Sequence, residues 1–447
     1  MNVTRNTHGS PGEPDEPTPA HAAAPPPADS TATSTAAERP AFGHRDWLRV
    51  ALAMFAIGFG ANLFAPMLEV YRELNGTGQS SVTAMFGIYA AGLVPALLIF
   101  GPISDRRGRR AVLRPAMLVS ATGTVILASA SFGPEWLLFP GRFVIGASVG
   151  MAMASGAAWI KQLSADKPSA GPRRATVAVS AGFGGGPLVV GLVAQFAPEP
   201  KLVPYLVCLC VLAAATPVMW STPETQFPSD GVAARRGPLI PKTALTGTFL
   251  WAVAAWAPWA FGTVTVSFVT LPIYVAQDVD MKIAYIGVLA GVAMISGLFI
   301  QPAATRVAEK GMLPMSVMAL GIACAGMLAA AATVWLDNAA LVFPSALILG
   351  SSYGIMMVAG LREVEVIARP DELGAMIGVF YALAYFGFFV PFILSLVAPL
   401  VGRITGLGDV GGIILCLLFG AVVCVASMVP VARAAEAGLK LAPEGRR

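Results

Sequence analysis

Charge is scarce in this chain: of its 447 residues, 12% are Asp, Glu, Lys or Arg and 56% are hydrophobic. Soluble domains carry about twice that share of charge, so the shortage excludes a water-soluble globule and points to a polytopic membrane protein. Histidine is scarcer still. His8, His21 and His44 all precede the first apolar run and cannot build a metal site with the five cysteines, Cys208, Cys210, Cys324, Cys416 and Cys424. These cysteines lie inside apolar runs and read as small buried hydrophobes, with no metal expected. No Gly-x-x-x-x-Gly-Lys-Ser/Thr phosphate loop is present, which argues against ATP-driven work, and no constellation of residues suggests an enzyme or a cofactor. The formal net charge of +4 is small and its lysines and arginines lie between apolar runs. It reports membrane orientation and not a nucleic-acid surface.

What the chain has in quantity is long apolar sequence. From Trp47 to Val431 only short polar stretches interrupt it, leaving room for roughly a dozen spans of about 20 residues each. The runs are too long and unbroken for the alternation of a barrel, so the expected fold class is an all-α membrane protein with twelve transmembrane helices. Six fall at 47–67, 81–100, 112–132, 136–163, 175–196 and 202–220, with a polar loop at 69–80. Six more fall at 244–275, 281–304, 312–336, 339–360, 373–400 and 409–431, and Pro258 is placed to kink the first of these.

Residues 1–44, rich in Pro, Ala, Ser and Thr, read as a disordered cytoplasmic tail without the apolar core of a secretory leader. Residues 45–222 and 244–432 are expected to form two six-helix bundles joined by a water-exposed linker at 223–243, with a second tail at 433–447. Lys and Arg concentrate in alternate connections and in both tails; the other connections hold only Arg72, Lys201, Lys282 and Arg403. That asymmetry places both termini in the cytoplasm.

The densest charge is Gly101-Pro102-Ile103-Ser104-Asp105-Arg106-Arg107-Gly108-Arg109-Arg110. With Arg114 it holds five arginines, which must face water, and Gly101 and Gly108 bracket the acid as tight turns and close packing require. Asp105 can accept hydrogen bonds from a facing helix end or pair with a neighbouring arginine. A faint copy, Gln301-Pro302-Ala303-Ala304-Thr305-Arg306 followed by Glu309-Lys310-Gly311, occupies the same place in the second half with Thr305 in place of the acid. Two related halves of six helices are the simplest architecture.

The stretch from Gly101 to Arg110 resembles the loop between the second and third helices of the major facilitator superfamily of transporters, and the resemblance covers essentially the whole membrane part. It implies alternating access between two six-helix bundles. Asp105, Arg106, Arg109 and Arg110 would latch the bundles in the outward-open state, against the start of the eleventh helix near Leu373. Arg142, in Gly141-Arg142-Phe143-Val144-Ile145-Gly146-Ala147-Ser148-Val149-Gly150, resembles the family's fourth-helix pattern of an arginine followed by spaced glycines. In related antiporters that arginine is associated with proton coupling, a role Arg142 could carry if a carboxylate lies near; the alternative is an arginine snorkelling to the outer interface. Gly182, Gly186, Pro187 and Gly191 resemble the bent fifth helix of the antiporter branches, and ordinary glycine-rich packing is the alternative.

No Asp or Glu lies in the middle of the first, second, fourth or fifth spans. Glu69, Glu73 and Glu135 stand at outer ends, and Arg362-Glu363-Val364-Glu365 reads either as self-neutralising pairs or as a site with a buried, proton-titrating Glu363. Candidate cavity residues are the polar groups Asn62, Gln195, Tyr274, Tyr353, Tyr381 and Tyr385. Around them lie Trp251, Trp256, Trp259, Phe386, Met356 and Met357, an adaptable apolar lining suited to amphipathic organic molecules. The preferred reading is a monomeric, proton-coupled exporter of small, largely apolar organic compounds in the cytoplasmic membrane, with the lipid bilayer as its surroundings. The alternatives are uptake by symport or facilitation and, in a different class, a transporter-like membrane sensor or scaffold.

Overall fold

The computed structural model describes residues 43, 45–164, 170–225, 240–309, 315–369 and 372–441. Nearly all of the tail expected at 1–44, most of the linker at 223–243, positions 310–311 of the faint copy and residues 442–447 lie outside the described residues. Twelve helices among the described residues are long and apolar enough to cross a bilayer, and no strand occurs among them. They are α1 (Asp46–Asn75), α2 (Gln79–Arg107), α3 (Arg110–Ser129), α4 (Glu135–Leu163), α5 (Arg173–Phe196) and α6 (Val203–Trp220). The last six are α7 (Gly247–Val275), α8 (Lys282–Val307), α9 (Met315–Trp335), α10 (Ala339–Ile367), α11 (Leu373–Thr405) and α12 (Gly408–Val431). Helices satisfy every backbone group internally, which hydrocarbon demands.

Two expected loops are helix. α1 continues past Glu69 and ends only where Gly76 takes φ +68°, so the polar stretch from Glu69 is its last turns. α2 likewise runs through the arginine stretch to Arg107, and the residue that ends it is Gly108 at φ +95°, a backbone conformation that L side chains avoid. Gly101 has open space where a Cβ would lie and so is not a packing glycine. Three of the spans carry internal breaks among the described residues. α1 turns at Leu63 ahead of Pro66, and α7 has π-helical turns at Leu250–Ala254 and Val266–Thr270 on either side of Pro258. α11 tightens to a 3-10 turn at Phe386–Phe389 ahead of Pro391, whereas α5 stays α-helical through Pro187.

Lipid tails give helices no hydrophobic reason to associate, so close packing through small residues holds the bundle. A Cβ on Gly146 of α4 would collide with the Tyr89 carbonyl of α2, and one on Gly354 of α10 with the Gly297 carbonyl of α8. The α2–α4 pairing is thus repeated six helices later as α8–α10. In the same way α1 packs on α5 and α7 on α11, where Gly387 sits against Gly262. The first six and last six spans meet along α5–α8 and α2–α11, through Gly191 against Gly287 and Leu98 against Gly378.

Candidate transport site between the two sets of spans

The seam between α2 and the last six spans is filled with aromatic rings. Phe86 and Tyr89 stand one turn apart on α2, and both rings meet Phe388 of α11, at centroid distances of 5.2 and 5.1 Å. Phe388 in turn touches Phe261 of α7 at 4.9 Å, and Phe261 stacks on Tyr385 at 4.5 Å and leans on Tyr353 of α10, also at 4.9 Å. All six rings are buried, and they lie near the middle of their spans. Tyr353 and Tyr385, expected at the cavity, lie in this packed seam. Phe86, Tyr89, Phe261 and Phe388 were not singled out by sequence; their signal is the one-turn spacing of 86 with 89 and of 385 with 388.

Beside this seam lies Arg142, with no exposed surface. Its Nη1–H donates to the Ala61 carbonyl at 2.8 Å, which the turn in α1 leaves available, and its Nε–H and Nη2–H donate to the Met85 and Phe86 carbonyls of α2 at 3.4 Å. The guanidinium lies over the rings of Phe64 and Tyr89, 4.7 and 4.8 Å from their centroids. Arg142 points into the protein, so the snorkelling alternative is excluded. The carboxylate its coupling role calls for is missing: among the described residues no Asp or Glu bonds it.

The arginine stretch is tied within the first six spans. Asp105 accepts from Arg109 at 2.6 Å, its one partner among the described residues, and its side chain is 62% exposed. It makes no bond to the start of α11. Arg109 is itself buried and also donates to Ser104 at 2.9 Å. The backbone amides of Arg109 and Arg110, the entry to α3, both donate to the Glu224 carboxylate, at 3.1 and 2.8 Å. An anion there complements the helix N-terminus, a role sequence reading did not give to Glu224. Arg114 lies over the Trp220 ring at 4.8 Å. Arg106 is exposed to solvent.

At the opposite end, here called the far end, the first six and last six spans are joined by polar bonds. Lys282 at the head of α8 lies 2.8 Å from Glu69 of α1, and both side chains are buried. Arg72 holds the other oxygen of Glu69 at 2.9 Å. Thr83 bonds Ser395 at 3.0 Å, and the Gln195 side chain accepts the backbone amide of Ala284 at 3.2 Å. Gln195 was expected in the cavity and is instead a far-end clasp. Tyr274 also lies there, in the last turn of α7. Lys282 and Arg72, taken as loop cations, belong to helices.

Several other expectations change. Asn62 is buried, donating to the Phe183 carbonyl at 3.4 Å, and Trp256 is buried with its indole N–H on the Ala252 carbonyl. Trp256 and Tyr381 flank Phe380, on the arginine-stretch side of the seam. Trp251 and Phe386 point outward, as does Cys210. Arg362 pairs with Glu309, at 3.9 Å, and not with its own neighbours; Glu363 is partly buried with no partner among the described residues. Gly182 and Gly186 seat α5 on Phe55 and Phe59 of α1, while Gly191 and the Pro187 carbonyl meet Gly287 of α8, so the glycine motif is a packing surface on both sides. A cavity of about 480 Å³ opens between α7, α9, α11 and α12, lined by Trp259, Met327, Val390, Ile393, Cys416 and Phe419. Its lining is apolar and it lies away from the seam, on the bilayer side.

The described backbone superposes on solved transporters. One is a POT family transporter in complex with a thioalcohol-conjugated peptide, with a TM-score of 0.68 and 14% identity over 87% of this chain and 96% of that one. Another is a D-xylose-proton symporter, with a TM-score of 0.63 and 14% identity over 85% and 96% of the two chains. At such identity the likeness is one of fold. The sequence model of the Major Facilitator Superfamily matches residues 50–391. With its twelve apolar helices, this multi-pass membrane protein belongs to that superfamily of transporters.

Proposed function

We propose that the protein is a secondary active transporter that exports small, largely apolar organic compounds in exchange for protons. The observation that carries this reading is the buried aromatic seam of Phe86, Tyr89, Phe261, Tyr353, Tyr385 and Phe388, which joins the first six spans to the last six near mid-membrane. Such a lining gives a cargo dispersion and stacking and offers few polar groups. Residues 45–222 and 244–432 act as two rocking bundles about the seam. The far end, sealed by Glu69, Lys282, Thr83 and Ser395, faces outward, and the end with the arginine stretch faces the cytoplasm, as the positive-inside rule places it.

In this arrangement Asp105 rests on Arg109 and is not engaged by α11. That fits a latch that forms only when the far end opens, with Gly101, Asp105, Arg106, Gly108, Arg109 and Arg110 as its parts. Outward direction rests on the resemblance of Gly182, Gly186, Pro187 and Gly191 to the fifth helix of the antiporter branches, and proton coupling on Glu363, partly buried and without a partner among the described residues. Inside-out vesicles carrying a pH-gradient dye test the reading. Recovery of the dye on adding apolar compounds supports antiport. Deeper acidification, or no response from correctly folded protein, favours symport or a sensor in its place.

A further inference from the structure

Arg142 uses three of its five N–H donors on the carbonyls of Ala61, Met85 and Phe86. None of those acceptors carries charge. The carboxylates nearest along the far end are engaged elsewhere, Glu69 with Lys282 and Arg72, and Glu135 with Thr77. A whole positive charge is therefore buried in the membrane interior without a counter-charge among the described residues, and such groups mark substrate or ion paths. If the arginine served only to tie α1, α2 and α4, three donors would suffice and the remaining two would stay unpaired.

Tyr89 connects this charge to the seam. Its ring lies 4.8 Å from the guanidinium on one side, and 5.1 and 6.5 Å from Phe388 and Tyr385 on the other. Its hydroxyl is buried and has no hydrogen-bond partner among the described residues. Two guanidinium N–H groups, and the hydroxyl of the Tyr89 ring that the guanidinium lies over, thus have no acceptor among the described residues. A carboxylate supplies both the missing acceptors and the missing charge, and pairs with guanidinium by short charge-assisted bonds. A cation would be repelled from the same place.

We propose that the substrate carries an anionic group, a carboxylate or its equivalent, that Arg142 and Tyr89 hold while its apolar body lies along Phe388, Tyr385 and Phe261. This rests on the seam being the substrate site. It narrows the cargo from apolar compounds in general to amphipathic organic acids.

The test is calorimetric titration of the full-length protein in lipid nanodiscs with three compounds sharing one ring system: 2-naphthoate, 2-naphthamide and methyl 2-naphthoate. The acid is expected to bind about tenfold more tightly than either neutral compound, the size of one good hydrogen bond to a charged group. Because Arg142 also ties three helices, the preference is read in Tyr89→Phe and Arg142→Lys besides Arg142→Gln. Tyr89→Phe should weaken the acid by about threefold or more and the amide, a neutral acceptor, by less, and Arg142→Lys, which keeps the charge, should retain part of the preference. If the amide or the ester binds as well as the acid, the anion site is wrong while the seam stands as a site for neutral cargo. If none of the three binds, both fall.

Discussion

The Lys282 ammonium lies 2.8 Å from the Glu69 carboxylate, with both side chains buried, so one ion pair clasps α8 to α1 at the far end. Removing one partner of a buried pair costs about 3–5 kcal/mol, because the other charge stays behind unpaired. Glu69→Gln should therefore shift the equilibrium towards opening at that end. A cysteine at Thr83, with the five native cysteines replaced, should label faster in this variant, and Glu69→Asp, which keeps the charge facing Lys282 and Arg72, should label more slowly than Glu69→Gln. Unchanged labelling would show that the pair does not hold the end shut.

Asp105 gives the opposite case. Its carboxylate is mostly exposed and meets only Arg109 among the described residues, and exposed pairs contribute about 0–1 kcal/mol. Asp105→Asn should melt within a degree or two of the parent yet transport poorly, since the latch it forms belongs to another arrangement. Wild-type rates in reconstituted vesicles would remove Asp105 from the cycle.

Glu224 should behave as a stability residue. It accepts the amides of Arg109 and Arg110 where α3 begins, and losing a cap of this kind costs about 1–2 kcal/mol. Glu224→Ala should lower the melting temperature measurably, and Glu224→Asp should recover part of it. Equal melting of all three proteins would contradict the capping role.

The glycines divide by what surrounds them. Gly146→Ala drives a Cβ into the Tyr89 carbonyl, whereas Gly101→Ala projects into open space. Overpacking costs about 1–3 kcal/mol, so the first should reduce the yield of folded protein in a fluorescence size-exclusion trace and the second should not. Equal loss in both variants would contradict the packing described.

The twelve spans were legible because hydropathy fixes them whatever their neighbours are. Their ends were not: the arginine stretch looked like a loop because charge suggests water, yet α2 carries it and stops only at Gly108, where φ is positive. Glu69 was placed in a loop for the same reason, since its partner Lys282 lies far along the chain and no local pattern announces it. Within the site, Tyr353 and Tyr385 were found because tyrosine is rare in apolar helices. Phe86, Phe261 and Phe388 were passed over because phenylalanine is not, and Tyr89 because its partners Phe388 and Arg142 lie on other spans and no local pattern marks them. Gln195 and Tyr274 were misplaced because polarity alone does not fix depth; both lie at the far end.

The central claim, that the two sets of spans alternate about the aromatic seam, is tested most directly by two spin-label distances measured under the same conditions. One pair, at Leu74 and Met281, reports the far end; the other, at Arg107 and Gly374, reports the arginine-stretch end, and all four positions are exposed. The account predicts anticorrelated distances: as Glu69→Gln lengthens the far-end distance, the arginine-stretch distance shortens. Two distances that stay fixed, or lengthen together, would contradict it.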